Sequence, residues 1–263
     1  MSVAATSARP GGPYAPGPGP AKLSRMVAAH ARFELAQLVR NGEQLLLTVV
    51  IPTLLLVLFT KVDVVDLGRG SRVEFLLPGI VALAVLSTAF TAQAIGTGFE
   101  RRYGVLKRLG ATPLPRAGLL AGKTAAVLAV ECGQVALLLL VGFALGWRPH
   151  GTNVAAASGL VVVGTVAFAS LALLMAGTLR AEATLAAANL VYLLLLLAGG
   201  NIVPVSRFPS GAQHLLQWLP STALADGLRA AASADAVPVH DWLALLAWAV
   251  VGVAGAVCWF RWE

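Results

Sequence analysis

Charged residues are scarce in this 263-residue chain. Asp, Glu, Lys and Arg make up 12% of the residues, whereas hydrophobic residue types make up 58%. A soluble domain contains roughly 25% charged residues. A soluble fold of this length could not bury so much apolar side-chain surface. The composition therefore excludes a water-soluble protein and predicts an integral membrane protein.

Groups that carry chemistry are also few. The two cysteines, Cys132 and Cys258, both lie inside long apolar runs, where neither a disulfide nor a metal site is expected. The sequence has no His-Glu-x-x-His motif, nucleophile elbow or Cys-x-x-Cys pair. No water-soluble segment combines clustered basic residues with stacking aromatics, which excludes a nucleic-acid binder. We therefore expect no metal, no catalytic residue and no cofactor bound by this chain.

Long apolar runs dominate what remains. A membrane-spanning helix needs about 20 predominantly apolar residues. Only helices and closed barrels satisfy their backbone hydrogen bonds in hydrocarbon, and continuous rather than alternating apolar runs exclude a barrel. We predict an all-α integral membrane protein with six transmembrane helices, at residues 44–60, 75–99, 124–147, 154–179, 183–205 and 242–260.

Two regions outside these spans have their own composition. Residues 1–21 are rich in Pro, Gly and Ala and predict a disordered tail, which leaves residues 22–263 as one transmembrane domain. Residues 22–41 predict an amphipathic helix in which His30 and Glu34 intrude on the apolar side. This helix lies either along the inner membrane surface, with its basic residues toward anionic headgroups, or against the protein's own cytoplasmic face.

The segment between the fifth and sixth spans is apolar but interrupted by proline. The stretches 212–219 and 222–232 are too short to cross a bilayer and too apolar for a free loop. We predict short re-entrant or interfacial helices there, on the outer side. The outer side is assigned from the basic residues. With the N-terminus in the cytoplasm, roughly two-thirds of all Lys and Arg side chains lie on the cytoplasmic side, as is typical of membrane proteins. Both termini are expected in the cytoplasm, with the protein in the plasma membrane.

One acidic residue, Glu131, lies within a predicted span, with Gln134 on the same helical face. A carboxylate at membrane depth is costly and is a functional candidate by default. It either belongs to a translocation path with Gln134, Gln93 and Asn189, or makes an interhelical hydrogen bond that fixes packing. Both interpretations remain open at the level of sequence.

The most informative segment lies between the second and third spans and reads ERRYGVLKRLGATPLPR over residues 100–116. It holds five of the 19 Lys and Arg residues. Together with the following Leu120-Ala121-Gly122-Lys123, it resembles the corresponding stretch of ABC-2-type transporter permeases of the daunorubicin-resistance kind. These are membrane subunits of bacterial exporters for drugs, antibiotics, lipids and polysaccharides. The resemblance extends to the amphipathic helix, the six spans and the proline-punctuated outer segment.

The resemblance implies a permease without its own ATPase. Two membrane subunits, identical or paralogous, would pair with two ATP-binding subunits that hold ATP and magnesium and power export of a hydrophobic or amphipathic compound. A coupling helix over Glu100–Leu109 would enter a groove of the ATPase, with Tyr103, Leu106 and Leu109 as its apolar knob. The implied coupling residues are Glu100, Arg101, Tyr103, Gly104, Leu106, Lys107, Leu109, Thr112 and Pro113.

Other functions are less consistent with the sequence. Residues 117–124 satisfy a relaxed phosphate-binding-loop pattern, but they lack its first glycine and run straight into an apolar helix. Gly122 and Lys123 are better interpreted as the entry of the third helix into the membrane. A channel or ion-coupled carrier that uses Glu131 is the main alternative to an ATP-driven exporter. An intramembrane enzyme is disfavoured because one acid at membrane depth does not make a catalytic pair.

Overall fold

We analysed a computed structural model of the chain, which describes residues 21–62, 71–149, 151–202, 205–233 and 235–260. Every regular element in these ranges is a helix, which confirms the all-α prediction. The predicted disordered tail, except for Ala21, lies outside the described residues.

Eleven α-helices are found in the described ranges. They are α1 (Leu23–Arg40), α2 (Gly42–Lys61), α3 (Arg72–Val85), α4 (Gln93–Arg102), α5 (Val105–Gly110), α6 (Arg116–Ala144), α7 (Val154–Thr178), α8 (Ala181–Ala198), α9 (Ser210–Leu216), α10 (Pro220–Ala232) and α11 (Val239–Trp259). A π-helical segment, Leu86–Ala92, joins α3 to α4 in one continuous helix, and a 3-10 turn, Val205–Arg207, precedes α9.

Six helices in the described part are long and apolar enough to cross a membrane, as predicted. They are α2, the continuous helix Arg72–Arg102, α6, α7, α8 and α11. Two of them differ from the predicted bounds by more than three residues. The third begins at Arg116 rather than at residue 124, because the charge of Lys123 is buried against other helices and does not stop α6. The fifth ends at Ala198 rather than at residue 205, since Gly199 and Gly200 follow and Gly200 has a φ of 67°.

The helix Arg72–Arg102 forms the centre of the bundle. Most of its apolar window is buried inside the protein, whereas α2 and α8 bury only a small part of theirs. It packs against α2, α6, α7, α8 and α10, and α7 packs along α11. The exposed apolar faces of α2 and α8 are therefore the most extensive of the surfaces left for lipid or another subunit.

The short helices predicted between the fifth and sixth spans are α9 and α10. The helix α10 is largely buried and packs against α3, α7 and α11. Arg229 on α10 donates from Nη2 to the carbonyl oxygens of Gly200 (2.7 Å) and Asn201 (2.9 Å), and from Nη1 to Asp226 Oδ1 (2.7 Å). Burial lowers the pKa of Arg229, and the charge of Asp226 opposes this shift. These contacts hold α10 as an integral part of the bundle.

The N-terminal helix α1 packs lengthwise against α6. A Cβ at Gly122 would lie 2.5 Å from Cδ2 of His30, so glycine is what lets the two helices come this close. The buried side of α1 carries His30 and Glu34, whereas Phe33 is exposed. Of the two predicted settings for this helix, the structure shows packing against the protein's own body. Its depth relative to the membrane surface stays a prediction.

Candidate functional site

The predicted coupling helix is not a single helix. The end of α4 at Arg102 is followed by Tyr103 and by Gly104, whose φ of 73° lies in the left-handed region, and α5 then begins at Val105. Glycine adopts this conformation without the strain that a Cβ would cause. The prediction of one continuous helix over Glu100–Leu109 is therefore wrong, because the chain breaks the helix at Gly104. We call residues 100–113 the coupling turn.

Leu106 faces the interior of the protein. It is 0% exposed and belongs to a second core cluster at this end of the bundle, with Leu119 of α6, Leu173 of α7 and Phe260. Leu109 is partly buried against the same cluster. The interpretation of Leu106 as part of an exposed knob is not supported, since the bundle itself fills the space around its side chain.

The outer side of the coupling turn is polar with one aromatic residue. Tyr103 is 70% exposed, and Lys107, Arg108, Thr112 and Pro113 are also exposed. The hydroxyl of Thr112 donates to the carbonyl of Leu109 (2.6 Å), which closes the end of α5. The exposed surface of the turn therefore includes an aromatic ring and the positive charges of Lys107 and Arg108.

Two arginines tie the coupling turn to the neighbouring helix connection. Arg101 donates from Nη1 to the carbonyl of Ala176 (2.9 Å) and from Nη2 to that of Leu179 (2.5 Å), at the end of α7. Arg102 forms an exposed ion pair with Glu182 at the start of α8. The turn is thus anchored to the α7–α8 connection as well as to α4.

Glu100 is not part of the exposed surface. Its Oε2 lies 2.7 Å from Nζ of Lys123, and Oε2 of Glu34 lies 2.8 Å from the same nitrogen. The Lys123 side chain is 2% exposed, and Nε2 of His30 lies 3.4 Å from Oε1 of Glu34. These four residues, His30, Glu34, Glu100 and Lys123, form what we call the buried ion cluster.

Sequence reasoning missed this cluster, although part of the signal was present. His30 and Glu34 intrude on the apolar side of α1, which indicates a polar partner on the helix that covers that side. Burial lowers the pKa of His30, and the positive charge of Lys123 lowers it further. The imidazole is therefore neutral near pH 7. The cluster then contains two carboxylates and one ammonium group.

The same contacts explain the glycine and lysine at the relaxed phosphate-loop pattern. Residues 117–124 lie within the first turns of α6, and from Leu119 onward their amide groups are committed to helical hydrogen bonds. The ammonium group of Lys123 is already bound by two carboxylates. Gly122 serves the close approach of α1. The geometry gives no support to phosphate binding here.

Glu131 and Gln134 both point into the bundle, but to different neighbours. Glu131 is 1% exposed and its Oε2 accepts a hydrogen bond from the hydroxyl of Thr165 on α7. Gln134 donates to the backbone carbonyl of Thr48 on α2 and accepts from the hydroxyl of Thr88 (3.2 Å) in the π-helical segment. The buried face of α6 is therefore joined to three other segments by polar contacts.

The other two translocation-path candidates differ in position. Gln93 is buried, and its Nε2 has no hydrogen-bond partner among the described residues. Oε1 of Glu131 likewise lacks one within the described ranges. Asn189 instead lies on the exposed face of α8 and donates to the carbonyl of Leu185 of its own helix (2.9 Å). The structure does not bring Asn189 to Glu131.

We expect Glu131→Gln to impair transport more than folding. Glutamine keeps the volume and an oxygen that accepts from Thr165, so the free energy of unfolding should change by no more than about 1 kcal/mol. Loss of the carboxyl group should reduce efflux of a fluorescent amphipathic dye from cells with matched protein levels. If dye efflux persists while stability in detergent falls, Glu131 is a packing residue.

Comparison with known proteins identifies a family for the chain. Residues 27–232 match the family model described as ABC-2 type transporter, from α1 through α10. The chain is also similar to the protein named "Putative transport permease YvfS" from Bacillus subtilis (strain 168), with 24% identity over 192 residues, which cover 72% of this chain and 78% of that protein. With its six apolar helices, the chain therefore belongs to the ABC-2 type transporter family of membrane permeases.

Proposed function

We propose that this chain is the membrane subunit of an ATP-driven exporter, and that a separate ATP-binding subunit docks on the coupling turn. Two membrane subunits, identical or paralogous, would assemble with two ATP-binding subunits that supply ATP and magnesium. Membership of the ABC-2 family implies the ATP-binding partner. The cargo would be a hydrophobic or amphipathic compound that crosses the plasma membrane.

The surface of the coupling turn carries this proposal. Tyr103, Lys107 and Arg108 are exposed, and the turn that carries them is held by the buried Leu106 and by the hydrogen bonds of Arg101. Interfaces commonly use an aromatic anchor, while surrounding charges fix register and steer association. Because the turn is anchored on its inner side, a partner that grips its outer side could transmit force to the bundle.

The surroundings of the polar groups support an amphipathic or hydrophobic cargo. Most of the buried side chains in the described ranges are apolar, and the buried polar ones include Glu131, Gln134 and Gln93. The exposed faces of α2 and α8 are apolar as well. A path bounded by such surfaces would favour a compound with a large apolar part over a small hydrophilic solute.

Reversing the two charges of the turn should abolish docking. We expect Lys107→Glu/Arg108→Glu and, separately, Tyr103→Asp to lower the affinity for the ATP-binding subunit at least ~30-fold, the effect of removing one interface hot spot. Co-purification of that subunit from membranes measures this loss. Lys61→Glu, which reverses an exposed charge at the end of α2, is the matched control and should bind normally. A turn variant that still co-purifies and still exports would refute the docking role.

The proposal requires the coupling turn to face the cytoplasm. In a chain whose exposed Cys132 and Cys258 are replaced by serine, a cysteine at Arg108 should react with an impermeant maleimide only from the cytoplasmic side. A cysteine at Ser210 on α9 should react only from outside. The reasons are the basic-residue distribution and the three membrane helices that lie between the two positions. Reversed labelling would overturn the orientation and the docking site with it.

A carrier that works without an ATPase is the second candidate. The observation that favours it is the buried carboxyl group of Glu131, one oxygen of which has no hydrogen-bond partner in the part of the chain that the structure describes. Transport by the purified chain alone, driven by an ion gradient and abolished by Glu131→Gln, would establish this function in place of the first.

A further inference from the structure

We infer that the buried ion cluster is the joint through which the coupling turn moves α6, and that Lys123 is its positioning residue. The inference rests on the proposed function, because the motion to be transmitted is that of an ATP-binding subunit on the turn. Its test is nevertheless separate, since it concerns movement inside a complex that has already assembled.

The cluster joins three helices at the base of the coupling turn. Glu100 lies two residues before the end of α4, close to the break at Gly104, whereas Lys123 lies on α6 and Glu34 on α1. Both carboxylates contact the same ammonium group, at 2.7 and 2.8 Å. Lys123 is therefore the one member that contacts both partners, and any displacement of Glu100 acts first on it.

The chemistry of the cluster favours a positioning role over a purely stabilising one. Desolvation of buried charges offsets most of their mutual attraction, so well-packed apolar residues would hold the three helices together at least as firmly. Apolar contacts, however, allow neighbouring helices to slide. Charged hydrogen bonds have a defined length and direction. The Lys123 joint therefore fixes the position of α4 relative to α6 more closely than an apolar contact would.

The helix α6 extends from Lys123 into the membrane, so a displacement of Lys123 would displace the whole helix. It is one uninterrupted α-helix and contains no proline, the residue that most strongly kinks a helix, between Arg116 and Ala144. Lys123, Glu131 and Gln134 lie along one buried face, at spacings of eight and three residues. Lys123 and Gln134 are about 16 Å apart along the axis. Movement of the Lys123 end would therefore displace the groups that bond to α7, α2 and the π-helical segment.

The helix α1 buries the ion cluster by packing on α6. It covers the cluster at Gly122, where His30 leaves no room for a Cβ, and it contributes Glu34. Because the Lys123 side chain is 2% exposed, its attraction to the two carboxylates is stronger than it would be at the surface. The buried position of Lys123 thus makes the joint stiff during turnover.

Distances between spin labels in the full complex test this inference. The permease, with Cys132 and Cys258 replaced by serine, is reconstituted with its ATP-binding subunit in liposomes. One label pair, Ala111→Cys and Leu140→Cys, reports the turn relative to α6. A second pair, Leu140→Cys and Ser210→Cys, reports α6 relative to α9. With Lys123 present, ATP with vanadate should leave the first distance unchanged and shift the second.

Lys123→Met should reverse this pattern. The complex should still assemble and hydrolyse ATP, but the nucleotide should now change the turn–α6 distance, and the α6–α9 shift should be lost. Lys61→Met, which removes an exposed lysine, is the control and should behave as the parent chain does. If Lys123→Met does not fold, Glu34→Gln/Glu100→Gln/Lys123→Met, which leaves no unpaired charge, takes its place with the same expectation.

The outcomes separate the two proposals. A Lys123→Met or triple-variant complex with the parent α6–α9 shift would overturn the joint while leaving docking and export intact. A parent chain that binds no ATP-binding subunit would instead refute the proposed function, and the joint with it.

Discussion

Leu106→Asp is expected to unfold the end of the bundle that carries the coupling turn. Leu106 is fully buried in a cluster that includes Leu119, Leu173 and Phe260. Truncating such a leucine alone costs about 2–5 kcal/mol, and an unpaired buried carboxylate adds several kcal/mol. The variant should lose most of its thermal stability in detergent. Trypsin should cleave at Lys107 and Arg108 much faster, because α5 would no longer be held against α6.

Two matched variants make this result specific. Leu106→Met keeps the volume and apolar character, and should cost less than about 1.5 kcal/mol. Tyr103→Asp places the same charge on the exposed side of the turn, so it should lose the ATP-binding subunit without loss of stability. If Leu106→Asp were as stable as the parent chain but failed to bind the subunit, Leu106 would be a surface contact after all.

The difference between Leu106 and Tyr103 shows which kind of information the sequence contains. Both are apolar or aromatic residues in one basic segment, and the segment alone suggests that they share a face. The left-handed turn at Gly104 changes the direction of the helix between them. The apolar residues that cover Leu106 come from α6, α7 and the end of α11, which no local pattern brings together.

The number of membrane helices could be predicted because it depends on a local property. Each span must hydrogen-bond its own backbone in hydrocarbon, so an apolar run of sufficient length determines its own helix. The buried ion cluster has no such local signature. Lys123 is separated by 89 residues from Glu34 and by 23 from Glu100. Its partners follow from how α1 packs on α6 and from where the bundle places the end of α4, and only the polar intrusion on α1 hints at them.

The polar groups at membrane depth show the same limit. The sequence indicates that Glu131 and Gln134 share one face of α6, and the structure buries both. It does not indicate which helix lies opposite, because several spans have similar hydropathy. The sequence therefore suggests that Asn189 lies on one path with Glu131, whereas the structure places Asn189 on the exposed side of α8. The contacts of Glu131 with Thr165, and of Gln134 with Thr88, depend on helix order within the bundle.

Gly79→Ala should be among the most damaging small substitutions in the central helix. A Cβ at Gly79 would lie 1.9 Å from the carbonyl oxygen of Asn201 and 2.6 Å from Nη2 of Arg229. The backbone at residue 201 must move, and Arg229 then loses carbonyl partners that compensate its buried charge. Overpacking costs about 1–3 kcal/mol, and an incompletely paired buried charge raises the total to roughly 3–5 kcal/mol.

Gly96→Ala is the matched control for this prediction, since it lies in the same continuous helix and its Cβ would meet nothing within 4 Å. Alanine there should stabilise the helix by about 0.5–1 kcal/mol. Thermal unfolding of both variants in the same detergent should thus show shifts of opposite sign. Equal stability would mean that the 199–201 segment does not pack on Gly79. A loss confined to Gly79→Ala would instead show that α10, through Arg229, is locked to the central helix. Any opening of that end during transport must then break the contacts of Arg229.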